Sequence, residues 1–301
     1  MNTKVYNLLF LLVFLLIMTS CAKPQAVQYE TGFKSQGTIY SLKEARIISR
    51  NRLLEQLEGY PVIFIGDFHN NDTVHKFTAD LIGSLGQKYT LHLANEWFAP
   101  EQNEKLSLFV NNQWDEKKFM QEISWKDNIG YAYENFKPIY QSLKDVNGKM
   151  YGINLSKAER KKISLLQIDI MSEDEKNFLK SLDLNTTAHR QMIFPFLNHC
   201  HMPLKGESED QCLKRMYRVQ VAWDEKMGQE SALLAQKVLQ SPKEKLIVFI
   251  GAMHLESGLG ANMRFARYSN KPFVTLLPCF ETKIEPGRAD FIYYVKPLES
   301  K

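Results

Sequence analysis

The chain has 301 residues, with 38 lysines and arginines against 34 aspartates and glutamates. A formal net charge of +4 at pH 7 leaves no broad basic field, so nucleic acid is not an expected partner. Without a leader about 280 residues remain, enough for one large domain or a domain carrying an insertion.

Residues 1–20 read as a signal peptide. One early positive charge, Lys4, precedes an unbroken apolar run from Leu8 to Met18. That run suits a signal-peptide core and is too short to span a bilayer comfortably. Thr19 and Ser20 are small, and Cys21 follows. This arrangement resembles the lipobox of bacterial lipoproteins, in which the cysteine thiol receives a diacylglyceryl group and the chain is cut before it. Met18 stands where that pattern usually has Leu, and an ordinary signal peptide or an uncleaved anchor is the alternative. Ala22, rather than Asp, resembles outer-membrane sorting, so the expected location is a membrane-anchored lipoprotein facing the periplasm. Lipidated Cys21 would hold the chain on the bilayer, since several acyl chains anchor stably.

Residues 21–37, polar and with Pro24, Gly32 and Gly37, read as a lipidated tether. Residues 38–155 read as the first part of an α/β core. Val62–Ile65 is a short apolar run ending at Gly66, which predicts a buried strand. Asp72–Leu85 places Val74, Phe77, Leu81 and Leu85 on one helical face. Thr90–Ala94 predicts the next strand, and Ala132–Leu143 a helix that Pro138 should start or kink. Lys149–Leu155 predicts a further strand. Residues 156–243 carry no convincing strand; Glu173–Leu182, Thr187–Met202 and Glu209–Leu239 predict helices, so this stretch reads as a helical insertion. Residues 244–301 return to the core, with strands at Leu246–Ile250, Phe273–Leu277 and Phe291–Val295. The fold class is therefore α/β, a mostly parallel sheet flanked by helices.

Three cysteines follow Cys21. Cys200 and Cys212 flank a turn containing Pro203 and Gly206, across which a bridge is geometrically possible. Cys279 ends an apolar run and reads as a buried thiol. No cysteine spacing matches a zinc cluster or a haem-attachment motif.

In a parallel sheet, ligands bind outside the carboxyl ends of the strands. Gly66-Asp67-Phe68-His69, Asn95-Glu96-Trp97 and Gly251-Ala252-Met253-His254 all lie at such ends. The expected rim is Asp67, His69, Glu96 and His254, since carboxylates beside imidazoles bind metals or move protons. The competing view is that such groups cap helices or tie loops; His75, inside a predicted helix, reads as structural.

These segments resemble the ChaN family of haem-binding lipoproteins. The resemblance runs through Gly66-Asp67-Phe68-His69-Asn70, Asn95-Glu96-Trp97-Phe98, Tyr133, Pro138-Ile139-Tyr140 and Gly152-Ile153-Asn154. It continues through Gln220-x-x-Trp223-Asp224-x-x-Met227 and Gly251-x-x-His254-x-x-x-Gly258-x-Gly260, with Arg264 beyond. The family usually has Glu at the position of Asp67. The resemblance implies haem as cofactor, a role in haem and iron uptake beside an outer-membrane haem receptor, and dimerisation around the ligand. Ferric haem takes tyrosinate or histidine as axial donor. Tyr151, Tyr217 and His199 are the ligand candidates, and Arg215 and Arg218 the candidates for its propionates. The rim also resembles wider relatives, the erythromycin esterases and the TraB and Tiki-type proteins, so an exported hydrolase is the alternative expectation.

Overall fold

The computed structural model describes residues 28–296, Asn198 excepted. The leader and Cys21 lie outside the described residues. Among the described residues there are ten strands: β1 (Tyr29–Glu30), β2 (Ile39–Ser41), β3 (Arg46–Ile48), β4 (Val62–Asp67), β5 (Thr90–Asn95), β6 (Lys149–Gly152), β7 (Glu244–Gly251), β8 (Phe273–Cys279), β9 (Lys283–Ile284) and β10 (Phe291–Tyr294). Eight form one sheet in the order β3-β2-β10-β8-β4-β7-β5-β6, while β1 and β9 pair separately. The run from β10 to β6 is parallel throughout. β2 and β3 add an antiparallel margin. The α/β class read from the sequence is the observed one.

β4 and β7 lie at the centre, and both are near-continuous apolar runs because helices cover both faces of a parallel sheet. Alternate side chains part to the two faces. Ile63, Ile65, Ile247 and Phe249 meet α1 (Arg50–Leu57), α2 (Asp72–Gly86) and α6 (Tyr133–Asp145) through Leu53, Leu81, Ile82, Phe136 and Tyr140. The short helices α3 (Asn103–Val110), α4 (Glu116–Glu122) and α5 (Trp125–Asn128) close that layer with Phe109, Phe119 and Trp125. Val62, Phe64, Leu246, Val248 and Ile250 face the other way. They pack on α10 (Glu209–Val238) and α11 (Ala261–Tyr268) through Met227, Ala235 and Phe265.

Residues 156–243 hold α7 (Lys157–Leu165), α8 (Glu173–Ser181), α9 (Thr187–Ile193) and α10. They gather around a separate core of Ile163, Met171, Ile193, Tyr217 and Val221. α10 belongs to both cores: its first half carries Tyr217 and Val221, its second half Met227 and Ala235. Its 30 residues span about 45 Å. Gly228 brings α10 close to α11, for a Cβ there would stand 2.6 Å from the Ala261 carbonyl oxygen. The buried pair Arg264–Glu225 joins the same two helices. Cys200 and Cys212 form a disulfide. Closing a loop of this size contributes about 3 kcal/mol in the chain-entropy account. Cys279 is buried and free.

Several boundaries differ from the sequence expectation. The strand expected over Lys149–Leu155 ends at Gly152, because Asn154 N–H leaves the sheet to donate to the Phe98 carbonyl at 2.9 Å. The helix expected over Thr187–Met202 ends at Ile193, since Pro195 has no N–H to extend it. α6 runs through Pro138, which is exposed, so the carbonyl left without a partner one turn earlier can be met by water. The short strands β2 and β3, three residues each, carry too little periodicity to mark themselves.

Candidate functional site

The four rim residues converge at the carboxyl edge of the sheet. Asp67 closes β4, Glu96 follows β5, and His254 ends a single helical turn after β7. Gly251 makes the convergence possible. A Cβ there would lie 3.1 Å from His69 Cε1, 3.4 Å from Glu96 Oε2 and 3.4 Å from His254 Cδ2. Glu96 accepts the Gly251 N–H, which pins its carboxylate between the two histidines. The turn that carries Glu96 is held from behind. Asn95 donates to Tyr140 Oη at 3.1 Å and accepts from Trp97 N–H at 3.0 Å, while Asn154 donates to the Glu96 carbonyl at 2.9 Å.

Each rim histidine is backed by a buried carboxylate. His69 Nδ1 lies 2.8 Å from Asp67 Oδ2, and His254 Nδ1 lies 2.6 Å from Asp224 Oδ1. Each carboxylate is in turn backed by a second, buried histidine. His75 Nε2 lies 2.9 Å from Asp67 Oδ1, and His189 Nε2 lies 2.9 Å from Asp224 Oδ2. Two His–Asp–His chains therefore meet at Glu96, whose Oε1 is 3.8 Å from His69 Nε2. The Gln220 amide lies 2.9 Å from His254 Nδ1.

The electrostatics follow from this pairing. Burial alone would raise the Asp67 carboxyl, but hydrogen bonds from His69 and His75 and their charge hold it below its ordinary value. Burial would likewise raise Asp224, and the charge of His254 with the bonds from His189 and His254 holds it down. Burial would lower His69; Asp67 and Glu96 outweigh it and raise the imidazole. His254 is raised in the same way, Asp224 overcoming burial. Both imidazoles keep Nδ1 on a carboxylate, which leaves Nε2 on the cleft side.

The cleft at this rim has a volume of about 680 Å³. Trp97, Tyr131, Leu155, Trp223 and Met253 give it apolar walls, and Lys157 and Arg160 stand on its α7 side. Such a size and lining suit a small organic ligand. Trp97 and Tyr131 flank His69, with ring centroids 4.5 and 5.0 Å away.

The haem-ligand candidates read from the sequence lie elsewhere. Tyr151 lies on the edge strand β6, its hydroxyl 3.3 Å from His92 Nδ1, and does not line the cleft. Tyr217 is buried in the insertion core with its hydroxyl 3.0 Å from His189 Nδ1. His199 is exposed beside His201, their ring centroids 4.1 Å apart. Arg215 is held by Glu207 and the Met202 carbonyl, and Arg218 donates to the carbonyls of Ile163 and Ser164. These arginines are engaged within the insertion and do not line the cleft. Among the described residues, the one cluster of possible metal donors is Cys200, Glu207 and Cys212. Its cysteines are bridged and its carboxylate is bound by Arg215.

The sequence carries Asp224 only within the family resemblance, and His189 has no motif around it. His75, read as structural, contacts Asp67 directly.

A sequence model described as "haem-binding uptake, Tiki superfamily, ChaN" matches residues 53–265. Among solved structures, the chain resembles one described as "cofacial heme binding to ChaN of Campylobacter jejuni". The TM-score is 0.62 at 17% identity, covering 86% of this chain and 96% of that one. A type III effector matches with a TM-score of 0.46 and 13% identity, over 81% of this chain and 91% of that one. An erythromycin esterase in its open conformation matches with a TM-score of 0.46 and 12% identity, over 80% and 76%. No curated protein matches the chain.

The pairings set a pH window for stability. Asp67 and Asp224, lowered on folding, contribute stability above their unfolded value near about 4 and lose it as pH falls through their folded values. His69 and His254, raised on folding, contribute stability below about 6.5 and lose it as pH rises through theirs. The melting temperature is expected to peak between about pH 4 and 6.5. In Asp67→Asn the alkaline decline should become shallower, because His69 loses its charged partner; an unchanged alkaline limb would contradict this account.

Proposed function

The chain belongs to the ChaN family of the Tiki superfamily, and we propose that it binds haem in the cleft between Trp97 and Trp223. The observation that carries this reading is the pair of imidazoles, His69 and His254, each with Nδ1 braced and Nε2 turned to an aromatic-walled cleft. A histidine held through Nδ1 by a carboxylate is the usual form of an iron or zinc ligand. His254 is the preferred axial donor, because Glu96 faces His69 Nε2. Tyr131 is a weaker donor, since burial and the nearby charges of Glu96 and Asp67 raise its hydroxyl and disfavour tyrosinate. Lys157 and Arg160 are placed to meet propionates. Haem would supply the redox-active iron; the chain supplies orientation, an apolar cover and charge balance.

Titration of the full chain with hemin tests this. A saturable Soret band at micromolar hemin is expected, with affinity reduced about 10–100-fold or more in His254→Ala and little changed in Tyr151→Phe. No saturable spectral change in the unaltered chain would end the haem reading.

In the cell, the protein is a lipid-anchored haem carrier of the outer membrane, facing the periplasm and serving uptake beside a haem receptor, with a second copy closing over the ligand. The support is the lipobox-like sequence ending at Cys21 together with family membership. Radiolabelled fatty acid should enter the unaltered chain in growing cells and be absent from Cys21→Ser; equal labelling of both would exclude the anchor.

A second reading draws on the same chains. A histidine braced by a buried aspartate is also a general base for water, so the rim suits ester or peptide hydrolysis, with or without a metal. Hemin-free turnover of a generic ester, abolished in both His69→Ala and His254→Ala, is its expected mark. Full turnover in both variants would remove the rim from any such reaction.

A further inference from the structure

We propose that His75 and His189 are positioning residues of the cleft: each clamps the carboxylate that fixes the tautomer of a rim imidazole. This deepens the reading of the cleft as a site for an electron-pair acceptor such as haem iron, and it rests on that reading for its purpose.

The direction of every proton in the two chains follows from the partners. An ionised Asp67 only accepts, so the nitrogens facing it, His75 Nε2 and His69 Nδ1, both carry protons. On the far side of His75, Nδ1 is buried and has no hydrogen-bond partner. An unmatched lone pair there is tolerable, whereas a buried N–H would lose its water without replacement. That asymmetry keeps the proton on Nε2, directed at Asp67. The imidazole is also walled in by Phe136 and Phe249, at ring-centroid distances of 4.9 and 6.3 Å.

The second chain reaches the same polarity by a different device. An ionised Asp224 accepts from His189 Nε2 at 2.9 Å, which leaves Nδ1 of the neutral imidazole to accept from the Tyr217 hydroxyl 3.0 Å away. Asp224 then accepts from His254 Nδ1 at 2.6 Å, the shorter of that nitrogen's two contacts, the Gln220 amide nitrogen standing at 2.9 Å. In both chains the rim histidine, once neutral, presents its Nε2 lone pair to the cleft.

The inner histidines matter because the carboxylates are so deeply buried: Asp67 is 2% exposed and Asp224 0%. A carboxylate stripped of one of its two imidazole partners is left with an under-compensated buried charge. Freed on one side, the carboxylate is no longer locked in the orientation that accepts from the rim Nδ1–H, so nothing fixes the rim proton on Nδ1 and the Nε2–H form becomes accessible.

The test reads tautomers directly. Side-chain ¹⁵N correlation spectra of the full chain in detergent, at a pH where the rim is neutral, should show His69 and His254 as pure Nδ1–H forms. His75→Phe should populate the Nε2–H form of His69 while leaving His254 unchanged, and His189→Phe should do the reverse. His75→Gln, which restores an N–H donor, should return His69 to the Nδ1–H form. Hemin affinity should fall about 10–100-fold in His189→Phe, which backs the axial donor His254, and change little in His75→Phe, which backs His69. A pure Nδ1–H signal for His69 in folded His75→Phe would overturn the proposal, as would failure of His75→Gln to restore that signal. Should the Phe variants fail to fold, the His75→Gln spectrum alone decides: an altered His69 tautomer overturns the proposal and a retained one supports it. Correct tautomers in a chain that binds no hemin would remove haem as the ligand and leave the positioning role standing.

Discussion

Two carboxylates buried at the edge of a parallel sheet set the terms for everything around them. Asp67 and Asp224 are almost wholly removed from water, yet both are held in the ionised form. Breaking a buried charge pair by removing one partner typically costs about 3–5 kcal/mol, so the groups facing these oxygens are tightly constrained. Each carboxylate takes one imidazole from the rim and one from the interior. The strand ends, the start of α2 and the middle of α10 must all deliver a side chain to within hydrogen-bond reach of them.

That requirement explains the division of labour along the chain. β4 and β7 are central, apolar and covered on both faces, so their carboxyl ends are rigid platforms. Glycine at position 251 then allows a glutamate from β5 to enter between the two histidines. The insertion supplies what the sheet cannot, a second carboxylate and its own backing histidine, on helices that the sheet's helical cover continues into. Any lipid at Cys21 would concern where this assembly is kept, while the polar core is built within the described residues.

The sheet was readable because its strands are buried on both faces and therefore write continuous apolar runs, as in Val62–Ile65 and Leu246–Ile250. β2 and β3 were not, because three residues at a margin carry no pattern. The glycine-x-x-histidine repeats announced His69 and His254, and topology gathered Glu96 to them. Asp224 and His189 stayed hidden for a physical reason: they sit inside helices, 35 residues apart, where an acidic or imidazole side chain reads as surface until the packing is known. Tyr217 illustrates the same limit. Its type suggested an iron ligand, whereas its position makes it a hydrogen-bond donor to a buried histidine. Charge alone marks Arg215 and Arg218 as propionate partners, whereas their location commits that charge to holding the insertion together.

α10 has a mechanical consequence. It is one unbroken rod, rooted in the sheet's helical layer at Met227 and Ala235 and carrying the insertion core at Tyr217 and Val221. Asp224 lies between these two regions, close to the fulcrum. Asp224 is therefore aimed by two cores at once, and the hydrogen bond to His254 is only as firm as the alignment between them.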